Sequence, residues 1–351
     1  MVRVGLAGYA SAGRQIHAPL LAEAGLELAA VATSNPERRA ELAGDHPRAQ
    51  AVDDLDSLLA VEGLDVVVLA TPTGSHLAHT QRVIEAGLPC VVDKPLAVTA
   101  DDALTLVDLA EREGVALTVF QNRRYDPQFT TLATVVRDRL AGEPFRCELR
   151  WERWRPVAKD RWRENALPSE GGGILLDLHS HLVDMAVQLF GPVVTVFATV
   201  DARSTTSDDD AFLVCRHDSG VTSHLGATSL SGAAGPRVRL LGRGAAYVQN
   251  DFNGEPNVFP DTADLDEQHC GWLYRESERE PVTKTNSSAA EFYRAVGAAL
   301  SAPDPQAAMP VDPRDAVHTL AVIDAARTSA EAQRVVEVIT PGTRPGHAEE
   351  V

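Results

Sequence analysis

Cysteine is scarce and unpatterned in this chain of 351 residues: Cys90, Cys147, Cys215 and Cys270 stand apart, with no CxxC spacing. That argues against a zinc knuckle and a disulfide framework, and it fits a reducing compartment. Long apolar runs are also missing, and no stretch approaches the ~18 uninterrupted apolar residues of a membrane span. Near the N-terminus Arg3 is followed by a short apolar run broken at Gly5 and Gly8, so no secretory signal peptide is read. A cytoplasmic location is therefore expected. Basic residues are outnumbered: 32 Lys and Arg face 50 Asp and Glu, a formal charge of −18. A surface of that sign repels nucleic acid and anionic lipid, so neither is expected as a partner. Any phosphate on a ligand must then be held by local dipoles and a few placed cations.

Hydrophobic residues make up 44% of the chain and charged residues 23%, a globular balance, and the length allows two domains with separate cores. Up to about residue 120, short apolar runs alternate with helical stretches. Strands are predicted over 2–7, 27–32, 51–52, 66–70, 90–93 and 116–120. The run 66–70 is apolar throughout, as suits a strand buried on both faces. Helices are predicted between them, among them 76–86 ended by Gly87 and 100–113 ended by Gly114. Such alternation implies a parallel sheet with right-handed crossovers.

Beyond Gln121 the texture changes. Strand-like runs over 145–154, 193–200, 211–217, 221–229 and 238–241 are parted by Gly, Ser and Asp turns, as in a largely antiparallel sheet. One helix is predicted over 174–190, stopped by Gly191-Pro192, and two more over 289–300 and 313–332. The stretch 250–286 is polar and turn-rich and yields no element. The expected fold is α/β: an N-terminal Rossmann dinucleotide-binding domain over 1–121, then a C-terminal α/β domain with an open, largely antiparallel sheet. The second domain, 122–340, is expected to bind substrate and to pair with other copies into a homodimer or homotetramer. The helix 313–332 is expected to pack back against the domain junction.

Gly8-Tyr9-Ala10-Ser11-Ala12-Gly13 follows the first strand and opens the first helix. The dinucleotide fingerprint G-x-G-x-x-G uses its glycines for a tight turn, close approach to pyrophosphate, and helix–strand packing. Ala10 replaces the middle glycine, and one methyl is the smallest possible intrusion. Gly8, Ala10, Ser11, Ala12 and Gly13 are therefore candidate cofactor contacts, backed by the free N–H groups of a helix start. At the end of the second strand an NAD-selective site usually carries Asp or Glu. Here Thr33 and Ser34 stand instead, with Arg38 and Arg39 a turn later. Hydroxyls plus a cation suit a 2′-phosphate, so NADP is preferred to NAD, with Thr33, Ser34 and Arg38 as its contacts. The plain alternative is that both arginines are merely solvated.

Thr71-Pro72 with His76, and then Asp93-Lys94-Pro95, follow two successive predicted strands. Farther on stand Trp162-Arg163, the triple glycine 171–173, and Asp177 with His181. In this order the motifs resemble the glucose-fructose oxidoreductase / inositol dehydrogenase (Gfo/Idh/MocA) family. That family carries T-P-x-x-x-H, E-K-P and W-R … G-G-G-x-x-x-D-x-x-x-H. Asp93 departs from the family's Glu, and His179 stands where the family usually has Gly, a change with no evident mechanism. Asn122 to Asp126, 161–164 and Gly235-Pro236-Arg237 resemble most closely the branch of NADP-linked scyllo-inositol dehydrogenases. The resemblance spans nearly the whole chain. It implies an NAD(P)-dependent dehydrogenase acting on a polyol, sugar or inositol, with Lys94 catalytic. It also places Thr71, Pro72, His17, His76, Trp162 and Arg163 near the cofactor, and Arg124, Tyr125 and Arg237 near the substrate.

Oxidising a secondary alcohol needs a proton acceptor within hydrogen-bond reach and a donor for the developing oxyanion. Asp177 and His181 are four residues apart and are expected to share one helix face. His181, titrating near neutrality, is the expected general base; Asp177 would orient it, bind substrate hydroxyls, or both. Lys94 falls at the C-terminal end of a parallel strand, where open α/β sheets bind ligands, and can hydrogen-bond the reacting oxygen. Asp177, His179 and His181 form D-x-H-x-H, but His179 faces away from its neighbours on a helix and no third ligand is near, so no metal is expected. Two other readings compete: a non-catalytic NAD(P)-binding sensor, disfavoured by the joint presence of Lys94, Asp177 and His181, and a metal-dependent hydrolase.

Overall fold

The structure, a computed structural model, describes residues 1–158, 162–250 and 265–342, the side chain of Arg163 apart. Six short strands build the first sheet: β1 (Arg3–Ala7), β2 (Glu27–Ala32), β3 (Gln50–Val52), β4 (Val66–Leu69), β5 (Cys90–Asp93) and β6 (Leu117–Phe120). They pair in parallel in the order β3-β2-β1-β4-β5-β6. Helices cover both faces, which is why every residue of β4 and of β6 is buried and apolar runs rather than alternation mark them. The strand order reverses between β1 and β4. Ligands of such sheets bind outside the carboxyl ends at that switch point, where the Gly8–Gly13 turn and the exits of β4 and β5 lie.

The second sheet has nine strands: β7 (Pro144–Glu152), β8 (Val193–Asp201), β9 (Asp210–His217), β10 (Thr222–Thr228), β11 (Val238–Gly242), β12 (Ala246–Gln249), β13 (His269–Arg275), β14 (Glu278–Thr283) and β15 (Val336–Glu337). Its order is β14-β13-β12-β11-β7-β10-β9-β8-β15, with β7 and β10 parallel and the other neighbours antiparallel. Strands β8 and β9 alternate buried and exposed residues, so one face lies on helices and the other faces outward. The helix Pro313–Ala332 packs both on β8 and on the helix Ala100–Glu113 of the first domain. Asp324 on it accepts the Ala100 N–H at 2.9 Å, so it closes the junction as expected.

The structure departs from the sequence reading at one predicted helix and adds two elements it did not contain. The helix predicted over 174–190 is two helices, Ile174–Asp177 and His179–Phe190, parted at Leu178. The unassigned stretch 250–286 contains, within its described part, the hairpin β13–β14. A helix, Pro127–Arg137, begins at the proline just after Asp126 and was not anticipated. Among the described residues no helix is long and apolar enough to cross a membrane.

Candidate active site

The glycine turn is built on contacts that leave no room for side chains inside it. A Cβ on Gly13 would stand 2.0 Å from the Gly8 carbonyl oxygen, and one on Gly8, at φ +97°, would stand 2.6 Å from that of Ala70. The turn is therefore pressed against β1 and β4. Ala10 and Ala12 lie half-exposed on its rim with Ser11 open to solvent, and no side chain caps the helix that begins there. A backbone cradle with uncapped N–H groups fits a dinucleotide pyrophosphate. At the tip of β2, Thr33 is buried and its N–H donates to Val52 O, while Ser34 is exposed. Arg38 is exposed, and its backbone N–H is capped by Asn35. Arg39, not Arg38, is the cation fixed at this tip: its Nε donates to Thr33 O at 2.8 Å and it pairs with Asp53.

Lys94 leaves β5 on a loop held from three sides. Its N–H donates to Asp93 Oδ1 at 2.9 Å, and the Lys94–Pro95 peptide is cis. His76 places its ring nitrogens against two carbonyls, Pro95 O at 2.8 Å and Thr71 O at 2.9 Å. A neutral imidazole donates to only one of them at a time, and burial holds its pKa below the ordinary value. His76 is buried under the loop and braces the exits of β4 and β5. Thr71 is half-buried and Pro72 exposed at that exit. His17 is also beneath the site: its Nδ1 meets the Tyr293 hydroxyl at 2.6 Å, and its ring lies on Phe120. Burial pushes Asp93 up, but His17 and Lys94 outweigh it and keep the carboxyl below its usual range.

Across the cleft, the Lys94 ammonium donates to Asp177 twice, to the carbonyl oxygen at 2.6 Å and to Oδ1 at 2.8 Å. The helix is interrupted at Leu178: the His181 N–H goes back to Leu178 O, while Asp177 O accepts from Lys94 Nζ and, at 3.3 Å, from the Ser180 hydroxyl. Asp177 ends one helix and His181 lies in the next, with Leu178 between them still in helical conformation. Asp177 points at Lys94, and the His181 ring stacks on Trp151 with centroids 5.7 Å apart. Gly173, at φ +90°, delivers the short helix; a Cβ there would stand 2.1 Å from Asp208 Oδ1. Asp208 caps that helix, accepting the Leu175 N–H at 2.6 Å on its carboxylate and the Ile174 N–H on its carbonyl. Sequence reasoning missed Asp208; the run Asp208-Asp209-Asp210 in a turn was its signal.

Trp151 on β7 is 6% exposed and has three guanidinium carbons near its ring, those of Arg237 at 4.6 Å, Arg123 at 4.9 Å and Arg153 at 5.1 Å. Arg237 also donates to Arg150 O at 2.7 Å. Arg124, expected at the substrate, is engaged by two carboxylates. Its guanidinium takes both carboxylate oxygens of Asp184, with Nε at 2.9 Å from Oδ2, and reaches Asp315 at 2.9 Å. Tyr125 packs edge-on against Phe292. Trp162 opens a short helix, Trp162–Asn165; the side chain of Arg163 and residue Arg161 lie outside what the structure describes. His179 is buried and its Nε2–H donates to Leu225 O of β10 at 3.2 Å, so it clips its helix to the sheet. Among the described residues no group of three His, Cys, Asp or Glu is placed to hold a metal ion.

A six-stranded Rossmann sheet with a glycine turn at the exit of β1 and a lysine–aspartate pair at the exit of β5 carries the features of a nucleotide-binding oxidoreductase. Residues 2–121 match the family model described as an oxidoreductase family with an NAD-binding Rossmann fold, and residues 129–248 match that of the GFO/IDH/MocA C-terminal domain. The chain belongs to the Gfo/Idh/MocA family of NAD(P)-binding oxidoreductases. It is 28% identical to the scyllo-inositol 2-dehydrogenase (NADP(+)) IolW of Bacillus subtilis (strain 168), over 95% of each chain. It is 33% identical to the oxidoreductase YdgJ of Escherichia coli (strain K12), over 78% of this chain and 79% of the relative. Among solved structures, the oxidoreductase yvaA from Bacillus subtilis superimposes with a TM-score of 0.84 at 27% identity, covering 96% of this chain and 98% of that one.

Proposed function

We propose that this oxidoreductase interconverts a secondary alcohol and a ketone on a sugar, polyol or inositol, using NADP in preference to NAD. The observation that carries this reading is the lysine ammonium held 2.8 Å from Asp177 Oδ1 across the cleft between the two domains. Gly8, Ala10, Ser11, Ala12 and Gly13 would cradle the pyrophosphate, Thr33, Ser34 and Arg38 would hold a 2′-phosphate with Arg39 nearby, and Thr71, Pro72, Trp162 and Arg163 would serve the nicotinamide end. The bound cofactor supplies the hydride acceptor or donor. Lys94 donates to the reacting oxygen and stabilises its developing charge. Asp177 keeps that ammonium aimed and accepts from a substrate hydroxyl. His181, with its ring fixed by Trp151, takes the hydroxyl proton and returns it in the reverse direction. Residues 1–121 serve the nucleotide and 122–340 the substrate. The outward face of the large sheet, with Phe197 and Phe212 partly exposed, pairs with another copy in a homodimer or homotetramer. The reading favours a cytoplasmic enzyme.

The relative acting on scyllo-inositol with NADP(+) supports both the substrate class and the cofactor. The test is the nicotinamide absorbance change with a panel of cyclic polyols and both cofactors. Lys94→Ala is expected to lower kcat by about 10²-fold or more. Undiminished turnover in that variant removes Lys94 from the chemistry and the reading with it.

A further inference from the structure

We infer that Tyr293 and His17 are positioning residues for Lys94, acting through the carboxylate of Asp93 that immediately precedes it. The inference rests on the role given to Lys94 above and adds a control over it from the second domain. Four residues form a chain beneath the site. The Tyr293 hydroxyl is 2.6 Å from His17 Nδ1. His17 Nε2, on the other side of the ring, faces Asp93 Oδ2 at 3.8 Å. Asp93 Oδ1 accepts the Lys94 N–H at 2.9 Å. His17 and Tyr293 are fully buried, and Phe120, the partner of Asp93 in register on β6, packs against both of their rings.

The proton positions follow from the partners. A carboxylate only accepts, so a bare Nε2 would set its lone pair against a negative charge. Nε2 therefore carries a proton whatever the charge of the ring, and in the neutral ring Nδ1 accepts from the Tyr293 hydroxyl. The 3.8 Å gap is too long for a hydrogen bond, so His17 acts on Asp93 electrostatically, which counts where water is excluded. Tyr293 is closed to solvent, so the chain cannot pass a proton to bulk water. What it can do is hold a charge in place. Burial pushes the Asp93 carboxyl up, and His17 does most to reverse this, ahead of Lys94 and His76. The groups facing Asp93 are thus His17 after the glycine turn, His76 after β4, Lys94 on its own loop, and Tyr293 behind His17, kept neutral by burial. As a carboxylate, Asp93 is a strong acceptor for the Lys94 N–H; protonated, it would hold the stem of the lysine less firmly. The reach of the ammonium to Asp177 depends on where that stem begins, and a misplacement of about 1 Å can cost about 10²-fold in rate. Tyr293 itself comes from the helix Ala290–Ala299, where Ser288 and Arg294 tie the second domain to Glu23 of the first.

The test measures kcat, KM and the pH profile of kcat for the full-length protein with its nicotinamide cofactor and a cyclic polyol that it turns over. Tyr293→Phe keeps the ring on Phe120 and removes only the hydroxyl. It is expected to lower kcat about three- to tenfold, the scale of one hydrogen bond, with KM within about twofold of wild type. His17→Gln removes the group that most opposes protonation of Asp93, so the acid limb of kcat should move to higher pH. Tyr247→Phe is the control: it strips an equally buried hydroxyl, one that donates to Cys270 O at 2.6 Å in the second sheet. It should lower stability and leave the acid limb where it is. If Tyr293→Phe and His17→Gln behave like that control, losing stability but keeping kcat and its acid limb, both residues are packing and the inference is overturned. A loss of turnover in Lys94→Ala in the same assay then leaves the alcohol–ketone reading standing. Should His17→Gln fail to fold, Tyr293→Phe carries the test, with a smaller shift of the limb in the same direction. Should no polyol be turned over, that reading fails instead, and the Lys94 amide decides. Its NMR shift follows the titration of Asp93 as pH is lowered: a midpoint raised by Tyr293→Phe supports the chain, and an unmoved midpoint ends it.

Discussion

His76 directs both ring nitrogens at backbone carbonyls, whereas Arg124, across the cleft, directs its guanidinium at the carboxylates of Asp184 and Asp315. The contrast extends through the two walls. On the nucleotide side the contacts at the Lys94 loop each involve main chain, His76 on two carbonyls and the Asp93 carboxylate on the Lys94 N–H, and the glycine turn admits no methyl. On the substrate side the elements are knit by side chains that bear charge or rings: Arg124 with Asp184, Arg123 with Asp126, and Trp151 with His181 and its arginines. A polar side chain on a carbonyl is exchangeable for another donor. A buried charge pair is not, because the survivor is left without compensation.

The sharpest way to break this contrast is Arg124→Ala. Asp184 is buried, desolvation already pushes its carboxyl above the usual range, and Arg124 opposes that push. Removing the arginine strands the carboxylate, and a loss of about 3–5 kcal/mol in urea unfolding is expected at neutral pH. The loss should shrink as pH falls, since a protonated Asp184 needs no cation. A cost under about 1 kcal/mol at neutral pH would mean that the substrate wall does not depend on its charge pairs.

A second expected effect concerns the residue that sequence left without a mechanism. Burial holds His179 down to about 4 from an ordinary 6.5, so the folded protein keeps it neutral. Between those values the unfolded chain binds more protons, and stability present above about pH 6.5 is lost as pH falls towards 4. The window corresponds to about 3 kcal/mol. His76, His217 and His318 are shifted in the same direction and add to the slope. His179→Gln keeps a donor for Leu225 O and cannot titrate, so its stability measured from pH 7 to 4.5 should decline less steeply. An unchanged slope would show that acid sensitivity arises elsewhere.

The same contrast separates what was legible in the sequence from what was not. Local signals carried the nucleotide wall: β2, β5 and the helix Ala100–Glu113 fall on their predicted residues, because apolar runs and a terminal glycine mark them. The glycine turn and Lys94 at the exit of β5 were equally visible. Strand β14 was not, since nearly all of it is exposed at the sheet edge and shows no alternation. The break at Leu178 was hidden because Leu175, Leu176, Leu178 and Leu182 are all buried and carry the apolar pattern across it. The ion pairs of Arg124 were hidden for a related reason: its partners lie 60 and 191 residues away, where spacing conveys nothing.

Asp208 gives the smallest expected effect and joins the two modes of construction, because it is a carboxylate of the substrate wall that acts on backbone. It caps the helix Ile174–Asp177 and fills the space that a side chain on Gly173 would take. Asp208→Ala should cost about 1–2 kcal/mol, the usual worth of an N-cap. Its more telling consequence is kinetic: a frayed helix lets Asp177 drift from Lys94, so kcat should fall more than KM rises. Asn caps nearly as well as Asp, and burial already raises the Asp208 pKa towards the neutral form that Asn mimics. Asp208→Asn should therefore restore both stability and kcat. If Asp208→Ala loses stability but leaves kcat untouched, the glycines alone aim Asp177, and the substrate wall is closer in construction to the nucleotide wall than its charges suggest.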